Sequence, residues 1–290
     1  MAELLGGIEA GGTKFVCVVG TGPDDIRHRL RVDTTTPDVT VGACIEFFER
    51  HRPVSIGIAT FGPVELRRDH PKWGFITTTP KPGWQDADLA GRIGRALGVP
   101  VAIDTDVTGA ALGEWRWGAG QGLSNIIYIT VGTGIGGGAL ISGKPIPGLV
   151  HPEMGHVVVA RQPGDDYPGR CPYHGDCMEG MAAGPAIEQR WGRRGEDLAE
   201  LLGPAVDLEA GYLASGMRSM VYTLAPQRII LGGGVSSLPG LIETVRAKLL
   251  VTMNGYALQP EHERDFVVPP GLGVNSGAAG ALALAEMAAG

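Results

Sequence analysis

The chain has 290 residues, enough to bury a substantial core in one or two domains. Its formal charge of −7 argues against non-specific nucleic-acid binding and against docking on an anionic membrane, so neither is expected as a partner. The 47 glycines cluster at strand ends without a repeat, which excludes a fibrous chain, and no apolar run is long enough to span a membrane.

In chain order, residues 4–8 read as a buried strand, 9–14 as a turn and 15–19 as the returning strand. That first strand follows Met1 within a few residues, which leaves no room for a signal peptide. The apolar spacing of Ile45, Phe47 and Phe48 predicts a helix over 41–50, and 54–60 is the next strand. A helix over 88–97 is closed by Gly98 and Pro100. A short strand at 101–103 and an alanine-rich helix at 107–118 complete the first half.

The second half opens with a strand at 125–131, a glycine turn at 132–138 and a return strand at 139–142, echoing the strand–turn–strand unit of residues 4–19. Helices are expected at 185–191, 197–202, 207–224, 241–250 and 277–289, with a strand at 228–231 and a turn at 232–234. Strands alternating with helices in both halves argue for an α/β protein with a boundary near Gly118–Gly122. The expected domains are a smaller one over 1–118 and a larger one over 119–290, whose last helix is free to pack back on the first.

Four donors suited to tetrahedral zinc stand close together: His156, Cys171, His174 and Cys177. The last three recur at three-residue intervals, so Pro172 and Gly175 can fold them into a knuckle that His156 completes from the preceding strand. Four protein ligands leave no position for water, so a structural ion is expected. Free buried thiols among ordinary loop histidines, or a Cys171–Cys177 disulfide, are the competing readings. Cys17 and Cys44 stand alone in apolar segments and fit a reducing cytoplasm.

Glycine turns at 11–12, 132–138 and 232–234 allow backbone N–H groups to approach an anion. Gly12-Thr-Lys14 lacks the order of a Walker loop. Gly132-Thr-Gly-Ile-Gly-Gly137 matches G-x-G-x-x-G, but a strand follows it where a dinucleotide fold needs a helix. Any one of these turns can be a plain hairpin; together, with Thr13, Lys14 and Thr133, they point to a nucleoside triphosphate. Asp104-Thr-Asp106 falls where a strand meets a helix. Asp106 either caps that helix or acts as a base, and the neighbouring phosphate loops favour the base.

As a set, these residues resemble the ROK family of sugar kinases, most closely its zinc-containing bacterial fructokinases. Gly7-Ile-Glu-Ala-Gly-Gly-Thr-Lys14 and Ile129-Thr-Val-Gly-Thr-Gly-Ile-Gly-Gly137 are similar to the two phosphate loops of that family. Asp104-Thr-Asp-Val-Thr-Gly-Ala-Ala-Leu-Gly-Glu114 is similar to the segment with its catalytic aspartate, and Thr77-Thr-Thr-Pro-Lys-Pro-Gly-Trp84 to one typical of the fructokinase branch. His151-Pro-Glu-Met-Gly-His156 and Cys171-Pro-Tyr-His-Gly-Asp-Cys-Met-Glu179 resemble its signature and zinc knuckle.

The resemblance implies a two-domain actin-like (ribonuclease-H-like) sugar kinase fold with an interdomain cleft. It implies ATP-dependent conversion of D-fructose to D-fructose 6-phosphate, with mannose, glucose or an amino sugar as alternative substrates. Asp106 would accept the proton of the attacking hydroxyl. Glu153, His156 and Glu179 would hold sugar hydroxyls, and His156 would also ligate zinc. Gly11, Gly12, Thr13, Lys14, Gly132, Thr133 and Gly134 would hold phosphates. Gly184, Gly232, Gly233 and Gly234 would line the adenosine side. Mg²⁺ would arrive with ATP, and the assembly would be a cytoplasmic homodimer.

Three positions depart from the family pattern. Glu9 stands for the usual Asp, as is common in the fructokinase branch; Thr108 stands for Asn and Ala183 for Ser, which bears on sugar preference. A sugar-responsive regulator of the same family would carry a helix-turn-helix ahead of the first strand, for which no space is expected. A zinc hydrolase would need an open coordination position. Trp115 and Trp117 are expected to pack in the core, and Arg190, Arg193 and Arg194 to form a solvated helix end.

Overall fold

The computed structural model describes residues 3–290, and the chain divides into two units. Unit 1 takes the chain up to Gly122 together with Gly143–Pro152 and Gly271–Gly290; unit 2 takes Leu123–Ser142 and Glu153–Pro270.

Unit 1 begins with β1 (Leu5–Ala10), β2 (Lys14–Gly22), β3 (Asp25–Asp33), α1 (Pro37–His51) and β4 (Ser55–Thr60). It continues through the short pair β5 (Phe75–Ile76) and β6 (Ala87–Asp88), then α2 (Ala90–Leu97), β7 (Val101–Thr105) and α3 (Asp106–Trp117). Unit 2 opens with β8 (Ile126–Val131) and β9 (Ile135–Ile141); the two-residue β10 (Lys144–Pro145) returns to unit 1. Then come α4 (Met178–Ala182), α5 (Gly184–Trp191), α6 (Leu202–Leu224), β11 (Arg228–Gly232), α7 (Leu241–Met253) and β12 (Val267–Val268), and α8 (Ser276–Ala289) ends the chain in unit 1.

The sheet of unit 1 runs β3-β2-β1-β4-β7, with β1 antiparallel to β2 and parallel to β4, and β4 parallel to β7. Ile8, Phe15, Phe48, Ile56, Ile58, Trp84 and Ile93 fill its core. In unit 2 the order β9-β8-β11-β12 repeats the same pairings: an antiparallel hairpin, then two parallel neighbours. The echo between the two hairpins in the sequence is therefore an echo of half a sheet.

Several elements differ from their sequence-based expectations. β3 has no counterpart there. Its Arg27, His28, Arg29 and Arg31 are exposed, as suits an edge strand that must discourage pairing with another chain, and Ile26, Leu30 and Val32 alternate with the arginines. The expected turn at 132–138 shrinks to Gly132–Gly134, because Gly136–Gly138 belong to β9. Gly137 is needed inside that strand: a Cβ there would lie 2.7 Å from the Met154 side chain. The expected helix at 197–202 is a pair of 3₁₀ turns, Gly195–Asp197 and Ala199–Leu201. α6 starts upstream of residue 207, since Pro204 falls in its first turn, where an N–H has no intrahelical partner.

The domain division also differs. Glu114 on α3 is fully buried and accepts from Ala119 N (2.7 Å), Gly271 N (2.9 Å), Leu272 N (3.0 Å) and Ser276 Oγ (2.7 Å). Four donors on one carboxylate draw the whole segment from residue 271 into unit 1, beyond the last helix alone, so unit 1 is not the smaller part.

The expected solvated arginine cluster is corrected at one position. Arg193 and Arg194 are exposed, but Arg190 is buried: its guanidinium donates to Glu209 Oε1 (3.0 Å), Asp165 Oδ2 (3.2 Å) and the Met181 carbonyl (3.0 Å). It also lies over the Tyr167 ring, 4.4 Å from the centroid, and Tyr212 donates to the same Asp165 oxygen at 2.5 Å. One cation thus faces two carboxylates in a dry site. Burial pushes the Glu209 carboxyl from 4.5 up to about 8, with Arg190 opposing and Asp165 adding to the rise.

The folded protein therefore keeps a proton that the unfolded chain releases, and stability falls as pH climbs through that interval, by at most about 1.4 kcal/mol per pH unit. Urea unfolding at pH 5 and pH 8 should show wild type losing more stability than Glu209→Gln; equal losses would acquit Glu209.

Candidate functional site

β1, β4 and β7 are parallel and aligned at their carboxyl ends, with Ala10 opposite Thr60 and Thr60 opposite Thr105. The chain leaves β1 into the turn Gly11–Gly12–Thr13 and leaves β7 into α3 at this same edge, where ligands of open α/β sheets gather. Gly11, Gly12, Thr13, Lys14 and Asp106 are thereby brought to one side of unit 1. Thr34 braces the turn, its N–H donating to Thr13 O (2.9 Å) and its hydroxyl to Gly11 O (2.7 Å). Gly12, Thr13 and Lys14 stay exposed.

Asp106 is the first residue of α3 and is not its cap. Thr105 caps the helix: its Oγ1 accepts from Thr108 N at 3.2 Å while donating to Thr108 Oγ1 at 2.8 Å. The Asp106 side chain is exposed, with Oδ1 accepting from Val107 N at 2.9 Å. Thr108 is buried, so the departure from Asn at this position serves the start of the helix. Thr followed three residues later by Thr at a strand–helix junction is a capping pattern that the sequence carries.

Asp104 is a half-buried carboxylate of the same unit. Its Oδ1 accepts from Thr105 N at 2.7 Å, and burial raises its pKa against the pull of hydrogen bonds from Thr105 and Thr108 and of His151. Asp104 and His151 line a cavity of about 360 Å³ with Arg67 and Arg68. In β1, burial likewise raises the pKa of Glu9, opposed by Lys14 and Arg29.

In unit 2, a cavity of about 670 Å³ is lined by Gly132, Thr133, Gly184, Glu188, Gly234 and Val235, among others. Four of the glycine and threonine positions expected to hold nucleotide therefore share one space. The turn is closed by Gly132 N donating to Gly134 O (2.9 Å) and is held from α5 by Gly184 N donating to Gly132 O (2.7 Å). Gly232 and Gly233 are not among the residues that line it: Gly232 ends β11, and Gly233 packs on the Val131 backbone. Ala183, buried between α4 and α5, has its N–H on Glu179 O (3.1 Å).

Beside this cavity the four expected metal donors converge. The ligating atoms of His156, Cys171, His174 and Cys177 all lie within 4.8 Å of one another. Residues Val158 and Cys177 pair as an antiparallel bridge, which returns His156 to the knuckle, and Gly175 at φ +63 lets residues Cys171 and Gly175 pair across the tight loop. Cys171 Sγ is 3.6 Å from His156 Nδ1 and 3.7 Å from His174 Nδ1, and Cys177 Sγ is 3.6 Å from His156 Nδ1. Tetrahedral zinc with usual bond lengths requires sulfur and nitrogen roughly 3.5 Å apart, so the donor set fits. All four cysteines are free thiols. Burial pushes the Cys177 thiol up to about 11, with Cys171 and Glu179 adding to the rise. A divalent cation held by these four donors would reverse that preference.

Of the residues expected to hold sugar, Glu153 is exposed at the head of the 3₁₀ turn Met154–His156. Glu179 is half-buried on α4, and its Oε2 accepts from Ile135 N at 2.9 Å, a contact the sequence did not suggest.

A model of the ROK family matches residues 5–288. The chain is similar to the fructokinase of Zymomonas mobilis subsp. mobilis, 45% identical over 98% of this chain and 96% of that protein. It is similar to the fructokinase of Pediococcus pentosaceus at 42% identity over 98% of each. Among solved structures, the ROK hexokinase from Thermus thermophilus aligns with a TM-score of 0.83 at 28% identity, covering 98% of both chains.

Proposed function

The chain belongs to the ROK family, and from that membership we propose that it is an ATP-dependent hexose kinase converting D-fructose to D-fructose 6-phosphate. The fold is accordingly the two-domain actin-like sugar kinase fold. The observation that carries the substrate is near-full-length identity above 40% to two proteins named fructokinase.

Phosphoryl transfer rests on positioning and on neutralising charge, and the chain's own residues divide that work. Asp106 accepts the proton of the attacking sugar hydroxyl, whose oxygen then bonds to the γ-phosphorus as the bond to the β-phosphate oxygen breaks and ADP leaves. Its exposure at a helix start capped by Thr105 supports that role. Gly132, Thr133 and Gly134 seat phosphates beside Gly184, and Gly232, Gly233 and Gly234 flank the adenosine. Gly11, Gly12, Thr13 and Lys14 offer a second phosphate contact. Glu153, His156 and Glu179 hold sugar hydroxyls. Mg²⁺ accompanies ATP and offsets the phosphate charge.

His156, Cys171, His174 and Cys177 hold a structural zinc ion, a reading supported by donor chemistry and spacing. The family resemblance supports a homodimer. Free thiols support a cytoplasmic location, and no helix among the described residues is long and apolar enough to cross a membrane.

ADP release measured over fructose, mannose, glucose and amino sugars tests the substrate. Fructose should give the highest kcat/KM. Equal turnover of every sugar would end the narrower claim, and no turnover of any hexose would end the wider one.

A further inference from the structure

Glu179 stands between the metal knuckle and the phosphate turn. It is the second residue of α4, which directly follows Cys177, one of the four converging donors. Its Oε2 receives the N–H of Ile135, the residue that follows the 132–134 turn and begins β9. Gly134 has to be glycine at this approach, since a Cβ would lie 2.6 Å from the same oxygen. The other end of the short segment holds the turn as well, through Gly184 N on Gly132 O at 2.7 Å, and Ala183 N returns to Glu179 O at 3.1 Å. A stretch of eight residues, starting at a donor of the knuckle, therefore clamps the turn at its first residue and at the residue that follows it.

We propose that Glu179 is a positioning residue for the nucleotide: through one carboxylate oxygen it fixes the phosphate turn and transmits the fold of the metal knuckle to the ATP site. This rests on the kinase reading above, but it is separate from any contact to sugar. A hydroxyl held by the remaining oxygen would change fructose binding, whereas loss of the bond to Ile135 changes nucleotide binding with no sugar present.

The two are separated by titrating a non-hydrolysable ATP analogue with Mg²⁺ into zinc-loaded, sugar-free protein. Glu179→Gln keeps an amide oxygen for the Ile135 N–H, so its affinity for the analogue should stay within about threefold of wild type. Glu179→Ala removes the acceptor and Glu179→Asp draws it back by one methylene. Both should bind the analogue at least about tenfold more weakly, as expected for a lost hydrogen bond to a charged group. Zinc content and melting temperature check that each variant is folded.

Wild-type affinity in either truncated variant, with only the fructose KM altered, overturns the proposal. If neither folds, Glu179→Gln decides: a loss as large as tenfold there would show that charge, not the bond to Ile135, matters, and also overturns it. A wild-type protein that fails to bind the analogue strikes at the kinase reading instead.

Discussion

Asp106→Asn is expected to lower kcat by about 10²–10⁴-fold, the usual worth of general-base help, while leaving both KM values and the melting temperature close to wild type. The structure explains why stability should survive. Thr105 caps α3, so the helix start does not depend on the Asp106 carboxylate. An Asn side chain still offers an oxygen to Val107 N, the partner of Asp106 Oδ1 at 2.9 Å. What is lost is proton affinity at an exposed helix N-terminus. Steady-state kinetics with fructose and ATP, set beside a thermal melt, reads both effects. A folded variant retaining near-normal turnover would falsify the assignment of Asp106 as base. A variant that is slow only because it is unfolded would show that Thr105 is not the cap.

The second large effect is expected at the metal knuckle. Cys171→Ser and Cys177→Ser should each purify with little zinc, where wild type holds about one ion per chain. They should lose activity and melt on the order of 10 °C lower, the shift expected for several kcal/mol in a chain of this size. Both thiols are buried, and each stands among the other three donors of the knuckle. A chelator should reproduce the loss in wild type, and added zinc should reverse it there but not in the serine variants. Full activity and an unchanged melt in metal-free wild type would sink the structural role. The knuckle leads directly into α4 and the clamp on the phosphate turn, so the loss should appear in ATP affinity before the protein unfolds.

The parts of the site that a reader of the sequence could find were those written within a few neighbouring residues. The spacing of Cys171, His174 and Cys177 states a donor geometry on its own. The three glycine turns state where backbone must come close to something. Asp106 was legible as a carboxylate at a strand–helix junction, although its freedom from capping duty depends on Thr105 and Thr108, and that pairing lies in the same four residues. Thr105 is thus a cap that the local sequence already encodes.

Other features depend on partners far apart in the chain. Glu114 is polar in an alanine-rich helix, and nothing local says that its oxygens receive two backbone N–H groups more than 150 residues later. Arg190 sits beside Arg193 and Arg194 and shares their charge, yet its partners Asp165 and Glu209 come from a loop and another helix. β3 is a different case: Ile26, Leu30 and Val32 alternate with arginines along it, and only His28 breaks the period of an otherwise legible edge strand. Glu179 was expected to meet sugar, and only its bond to Ile135 reveals a second duty.

The bonds from Glu114 to residues 271–276 set an order of events during synthesis. The helix that carries Asp106 is made well before those residues, yet Glu114 gains three of its four donors only when Gly271, Leu272 and Ser276 have left the ribosome. Unit 2 can be complete by then, since its residues lie between Leu123 and Pro270. The helix is written early, and its far end is anchored late.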